Sequence, residues 1–361
     1  MKPVPKPSGK STAARATYAS VTLIVFIAIT LTILATACSS TSIEEPQPPN
    51  SANSDDLVIT LSTPETYTFP SSRADGTDIH AGHELRYTAI LYKSLGGSSP
   101  IGINGTANRV QRIEKLDKNG NQIVFKSIDP GSYFIVVFAD YIDENAELSS
   151  GHYADKYYDT TSSPNYITLL AQNEEKLYFN NDNLDFFIDH TNVFKKEKNI
   201  PKEFKITLHR HVSMVKVTAT GGSMEALKEI VMDKCFTLPQ LDIISGTATA
   251  EGTKNMIKGI VRLDILPKQN PILLCYYYTF STGSNKKALG ETSFTLIPNE
   301  GYTFFDEGKF TIPSGKIVPE ANTKYQVQGD FLSPSQVPST TVNIKVTADN
   351  EWHDESQNVS N

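Results

Sequence analysis

Residues 132–141, Ser-Tyr-Phe-Ile-Val-Val-Phe-Ala-Asp-Tyr, restrict the fold more than any other segment. β-Branched and aromatic side chains dominate the run, and the turn Asp129-Pro130-Gly131 introduces it, so it reads as a strand rather than a helix. Successive side chains of a strand point to opposite faces. From Tyr133 to Ala139 every position is apolar. The strand must therefore be covered on both sides, as at the centre of a sandwich with additional cover.

Elsewhere the strand signals alternate. Leu57-Val58-Ile59-Thr60-Leu61 comes first, and residues 85–92 place Leu85, Tyr87, Ala89 and Leu91 on one face. Residues 110–116 and 122–125 flank Asp117-Lys118-Asn119-Gly120, whose Asn-Gly supplies the positive φ of a hairpin turn. Residues 149–201 are polar and aromatic with few clear strands, and include the run 184–189. Strand signals return at 204–218, 259–266, 272–280, 292–297, 309–312, 325–331 and 341–347, and Ser223 is placed to cap a short helix over 223–230. Many short strands separated by turn residues predict an all-β chain of sandwiches. No repeat with a period of roughly 20 to 50 residues appears, which argues against a solenoid or propeller.

Residues 1–37 carry Lys2, Lys6, Lys10 and Arg15 without an acid, then an apolar run, and end before Cys38. These are the parts of a secretory signal peptide. With Thr22, Thr30 and Thr32 in it, the run is short for a spanning helix, which needs roughly 20 mainly apolar residues. Leu34-Ala35-Thr36-Ala37-Cys38 resembles a lipobox, with Ala35 where a larger aliphatic residue is usual. The resemblance implies that Cys38 is lipidated and becomes the new N-terminus. Residues 38–56 then read as a Pro- and Ser-rich tether. Its Glu44-Glu45 resembles an acidic outward-export signal of Gram-negative anaerobes, or is an acidic patch of a solvated linker.

Loss of residues 1–37 takes the formal net charge from −7 to −11, because four basic residues go and no acid does. Nucleic acid, which is bound chiefly through Lys and Arg, is a poor partner for such a chain. What remains is long enough for two cores. The expected division is an N-terminal domain over 57–200, a C-terminal domain over 201–350 with the boundary near 198–201, and a polar tail over 351–361.

Chemistry-bearing motifs are sparse. There is no nucleophile elbow, phosphate loop, paired-His zinc helix or calcium loop, so no enzymatic activity, metal or other cofactor is expected. His209 and His211 lie two apart around Arg210 on a strand, without a third ligand at useful spacing, and read as strand histidines. His80 and His83 flank a glycine, and Asp140, Asp143 and Glu144 read as turn residues rather than paired catalytic acids. Cys235 and Cys275 could pair in an oxidising compartment, but a domain of this size needs no such staple and Cys275 lies in an apolar strand, so free thiols are the favoured reading over a disulfide. Tyr276-Tyr277-Tyr278 reads as packing, whereas Tyr157-Tyr158 could pack or stack on sugar rings. Asp159-Thr160-Thr161 resembles a three-residue O-glycosylation signal of exported proteins.

Taken in order and spacing, several of these pieces resemble the fimbrillin-type lipoproteins of Gram-negative anaerobes. They are the lipobox at Cys38, the strands around Leu85-Arg86-Tyr87 and Asp129-Pro130-Gly131-Ser132-Tyr133, the segment Asp185-Phe186-Phe187, and residues 208–217. The resemblance implies two tandem β-sandwich domains, the first transthyretin-like, and a structural or adhesive role at the cell surface. The implied partners are outer-membrane lipid through Cys38, other fimbrial subunits, and ligands on host or bacterial surfaces. Related precursors are activated when an arginine-specific protease cuts a loop after the first strand, which points to Arg73 within residues 70–77. Arg86 is the competing basic site, inside a strand. Loss of the strand at 57–61 would open a sheet edge for an incoming strand. Residues 341–347 are the candidate donor, or else the closing strand of the second domain. The alternative function is a surface glycan-binding lipoprotein.

Overall fold

The computed structural model describes residues 55–62, 80–96, 108–170, 178–249, 256–261, 263, 271–333 and 344–349. All belong to one compact unit, Ala52–Asn361. Residues 1–37, expected to be a signal peptide, together with Cys38, Glu44-Glu45, Arg73 and the tail 351–361, lie outside the described residues.

The first strands are β1 (Leu57–Ser62), β2 (His83–Lys93), β3 (Arg109–Leu116), β4 (Gln122–Phe125), β5 (Gly131–Asp143), β6 (Tyr158–Asp159), β7 (Tyr166–Leu169), β8 (Phe186–His190), β9 (Phe194–Lys196), β10 (Lys202–Thr207) and β11 (His209–Arg210). They continue as β12 (Val212–Ala219), β13 (Leu227–Phe236), β14 (Gln240–Asp242), β15 (Thr247–Thr249), β16 (Met256–Val261), β17 (Ile272–Phe280), β18 (Thr292–Pro298), β19 (Lys309–Ile312), β20 (Lys324–Gly329) and β21 (Lys345–Asp349). The chain is all-β, as expected. Its sheets have the orders β10-β1-β4, β11-β8-β5-β2-β3 with β9 also on β5, β17-β12-β20-β21, β16-β13-β18-β19, and β15-β14-β7-β6.

β5 is the middle of this arrangement, paired with β2 on one edge and β8 on the other. Tyr133, Ile135, Val137, Ala139 and Tyr141 on one of its faces join Leu57, Ile59, Leu61 and the Leu85/Tyr87/Ala89/Leu91 face of β2 in one buried cluster. On the other face, Phe134, Val136 and Phe138 enter a second cluster with Tyr158, Phe186, Phe280 and the interior of the C-terminal strands. The cover expected over both faces is thus supplied by different parts of the chain. Tyr157 and Tyr158 are buried in that second cluster, so this pair packs rather than presenting a sugar platform. Tyr276, Tyr277 and Tyr278 are buried as well.

The expected helix over 223–230 is corrected. Ser223 does cap, accepting from the Glu225 N–H, but only for the single 3-10 turn Met224–Ala226, after which β13 begins. In β13 the residues Leu227, Ile230, Met232 and Cys235 are buried. Register shifts fall at Leu227/Glu229 and Met232/Lys234 against β18. Each bulge inserts a residue and turns a spacing of two into three, which imitates one face of a helix in the sequence. The run 204–218 is also broken, into β10, β11 and β12, with Leu208 N–H donating to Ser62 O and His211 N–H to Phe186 O at the joints.

Hydrogen bonding crosses the position expected to divide the domains. β10 pairs in parallel with β1, and β11 pairs with β8. We propose that the N-terminal sandwich therefore runs on through Arg210, with the second beginning at β12.

Two buried arginines fix the β5 sheet. Arg210 Nε lies 2.9 Å from both carboxylate oxygens of Asp185. Arg86, fully buried, holds Asp140 through Nε at 2.9 Å and Nη2 at 2.7 Å, and Nη2 also reaches Asp155 at 2.8 Å. Glu114 beside it accepts from Arg112 Nε at 2.8 Å and from Tyr153 N–H at 2.8 Å. Burial alone would raise the Glu114 pKa, but Arg112, Arg86 and the hydrogen bonds from Tyr153 and His152 outweigh it and hold the pKa below the ordinary 4.5. Asp140→Ala leaves Arg86 buried with one partner fewer and should cost about 3–5 kcal/mol in urea unfolding. A depressed folded-state pKa gives stability that is present above the unfolded value and lost as pH falls through the folded one. Stability measured below pH 4.5 should therefore fall less steeply in Glu114→Gln than in the parent.

Candidate functional site: the buried first strand

β1 is short, yet it occupies the centre of its sheet. It runs parallel to β10 in the register Leu57↔Lys202 to Ser62↔Thr207, and antiparallel to β4 from Leu57↔Phe125 to Thr60↔Gln122. Alternation sends Leu57, Ile59 and Leu61, each at most 1 % exposed, into the cluster shared with Ile123, Phe125 and Ile206. Burying an aliphatic side chain of this size is worth roughly 1.5–3 kcal/mol. Three of them together are comparable with the roughly 5–15 kcal/mol net stability of a whole domain. β1 cannot leave at low cost, and its loss calls for a replacement strand.

Both ends of β1 are clamped. Before it, Asp55 O accepts from Ile128 N–H, Asp56 Oδ1 accepts from Ser127 N–H, and Asp55 Oδ1 accepts from Asn199 N–H. Lys196 Nζ stands 3.7 Å from Asp55 Oδ1. Behind it, Asn121 Nδ2 donates to Leu61 O at 2.7 Å, and Leu61 N–H donates to Asn121 O. Asp55 and Asp56, expected to end the polar tether, are thus parts of the fold. The sequence carried no local signal for this role, because their partners lie about seventy and 144 positions away. After Ser62 the chain leaves the described residues, and Arg73 lies in that interval.

The DUF6562 family model matches residues 49–361, which include every element above. The chain belongs to that family. It is a family of unknown function, and no curated protein matches the sequence. Among solved structures, this DUF6562 member is similar to the fimbrial anchor protein Mfa2 from Porphyromonas gingivalis, at 11% identity and a TM-score of 0.43, covering 82% of this chain and 97% of that one. It is similar also to a fimbrial assembly protein from Parabacteroides distasonis, at 13% identity and a TM-score of 0.40, covering 81% and 98%. The tip fimbrial protein Mfa3 from P. gingivalis follows at 11% and 0.39, covering 81% and 98%. At these scores the likeness carries no argument of its own.

The remaining candidates are dispersed through the DUF6562 fold. Arg86 is sealed in its ion network and offers no protease a bond. His209 is exposed, whereas His211 Nδ1 lies 2.9 Å from Gly246 O, its pKa lowered by burial. His80 stacks on Tyr141 at 3.9 Å, and His83 Nε2 meets the Tyr157 hydroxyl at 2.7 Å. Asp140 holds Arg86, and Asp143 pairs with Lys156. Thr160 is buried, its hydroxyl taken by Asp155 and Arg112, so Asp159-Thr160-Thr161 closes a turn rather than offering an acceptor hydroxyl. Cys235 and Cys275 are free and buried; burial raises the Cys235 thiol pKa well above its usual range and the Cys275 thiol pKa to about 12.

If β1 anchors the N-terminal core, Ile59→Ala should lower unfolding stability by about 2–5 kcal/mol. Val110→Ala, at an exposed strand position, should stay within about 0.5 kcal/mol in the same urea titration.

Proposed function

We propose that this chain is a structural or adhesive surface lipoprotein, a fimbrial-type subunit or accessory protein that assembles by exchange of its first strand. The observation that carries this reading is the position of β1, paired on both edges and buried through Leu57, Ile59 and Leu61, directly before the interval that holds Arg73. Cleavage after Arg73 would free everything N-terminal to it, including β1 and Cys38. The vacated slot between β10 and β4 would expose unpaired N–H and C=O groups above an apolar floor, a template for an incoming strand.

A replacement needs three aliphatic residues at alternate positions. Val342, Ile344 and Val346 provide them. Ile344 and Val346 are described, and β21 is an edge strand that pairs among the described residues with β20 alone and is exposed at Lys345, Thr347, Ala348 and Asp349. A strand held on one edge, with most of its side chains exposed, costs less to give away than one paired on both edges. Before cleavage, lipid on Cys38 would hold the precursor at the outer membrane. No catalytic step and no cofactor belong to this function.

The purified precursor lacking residues 1–38, treated with an arginine-specific protease, should acquire an N-terminus at Ala74 and shift to higher-order species, and Arg73→Ala should stay monomeric. Cleavage at another arginine, or a stable monomer after cleavage at Arg73, counts against strand exchange. Separately, a fatty-acid analogue fed to expressing cells should label the parent and not Cys38→Ala; equal labelling of both removes the anchor from the scheme.

A further inference from the structure

The small sheet β6-β7-β14-β15 has one face in the core and one polar face. Ile167, Leu241 and Ala248 are buried and belong to the larger apolar cluster. Their neighbours point the other way. Register sets Tyr166 beside Asp242 and Asp242 beside Thr247, and one step along sets Thr168, Gln240 and Thr249 in a row. Gln240 is fixed within that row, since its Nε2 donates to Thr168 Oγ1 at 3.4 Å and its Oε1 accepts from Thr249 Oγ1 at 2.8 Å.

This face is the floor of a cleft of about 720 Å³, whose lining includes Tyr166, Gln240, Asp242, Thr247, Asn285 and Lys287. The wall comes from the turn Gly283–Asn285, which lies so close to the sheet that a Cβ on Gly283 would stand 2.3 Å from Thr247 Cγ2. Gly283 also has φ +53°, which disfavours a side chain there on a second ground, and beyond it Asn285 and Lys287 line the cleft.

Three groups in the cleft have capacity left over. Asp242 spends Oδ1 on the N–H groups of Ile244 and Ser245, and Oδ2 receives no hydrogen bond among the described residues. Lys287 is exposed and has no carboxylate partner among the described residues, and the Asn285 amide is likewise uncommitted there. Tyr166 adds a half-buried ring with an apolar face.

We propose that this cleft is a saccharide-binding site. Its volume lies within the range of small-ligand sites, roughly 300–1,000 Å³. A hydrocarbon ligand would strip water from Asp242 and Lys287 without replacing it, which is costly for charged groups. A phosphate group would meet the Asp242 carboxylate with a single lysine to offset it. A sugar ring matches these three groups and the Tyr166 ring: hydroxyl donors for Asp242 Oδ2, hydroxyl and ring oxygens for Lys287 and Asn285, and a C–H face for Tyr166. Binding here does not depend on strand exchange, so a chain that never polymerises can still bind, and a polymerising chain can fail to.

The test uses the soluble mature chain on an array of neutral, sulfated and sialylated oligosaccharides, with thermal unfolding as the measure of fold. The parent should retain at least one of these classes. Asp242→Asn, which turns the free acceptor into a donor, and Lys287→Ala at an exposed position should each weaken that binding roughly ten-fold or more with unfolding unchanged. Tyr166→Ala should abolish it, and if that variant unfolds, the other two decide. Retention of no oligosaccharide, or retention undiminished in both Asp242→Asn and Lys287→Ala, overturns the assignment.

Discussion

A strand that is apolar at every position from Tyr133 to Ala139 cannot lie at a surface, and the architecture follows from satisfying β5 on both faces. Its sheet becomes a middle layer, with Tyr133, Ile135 and Val137 in one buried cluster and Phe134, Val136 and Phe138 in the other. β2 repeats the division, with Leu85, Tyr87, Ala89 and Leu91 on one side and Ile90 and Tyr92 on the other. This has a consequence for assembly. β1 contributes to one cluster only, so removing it would open that side of β5 while the other cluster kept all its members. Exchange of a strand without collapse of the rest requires such a separation.

The same sheet carries charges where alternation alone would place apolar residues. Arg86 and Asp140 face each other across β2 and β5, and Arg210 reaches Asp185 from β11. Taking such groups out of water is expensive, and a well-packed apolar pair would serve stability as well. What the ionic pairs add is geometry. A guanidinium that must meet Asp140, Asp155 and Glu114 together fits one register, and a slip by one residue would bury it against hydrocarbon. Through Asp155 and Tyr153 the network also ties the loop that follows β5 to the sheet.

How much of this was legible in the sequence depended on whether the deciding contact was local. β5, β1 and β2 were legible because composition and alternation act within a few residues; Gly120 does adopt φ +88°, but the hairpin expected around Asn119-Gly120 does not form, because β3 pairs with β2 and β4 with β1, in different sheets. The start of β13 reads as the end of a helix because the bulge at Leu227/Glu229 sets buried Leu227 and Ile230 three apart, a helical spacing. β10 and β11 read as one strand with β12, since nothing between Phe204 and Thr218 announces that successive parts pair with β1, β8 and β17. The clamp on β1 by Asp55 and Asp56 was hidden for the same reason.

The cleft shows the limit most clearly. β7, β14 and β15 are four, three and three residues long, too short for any periodicity to register, and Tyr166 and Asp242 become neighbours only when strands from far apart in the chain pair. Yet the alternation is there once the register is known: Ile167, Leu241 and Ala248 inward, Tyr166, Asp242 and Thr247 outward. A sheet this small gains its stability from the inward row, which leaves the outward row free to vary without cost to the core. Polar capacity on that row that no hydrogen bond of the described residues takes up, as at Asp242 Oδ2, is not required by folding. The strand that assembly would exchange and the face that would meet a ligand belong to different sheets, so a change in one need not disturb the other.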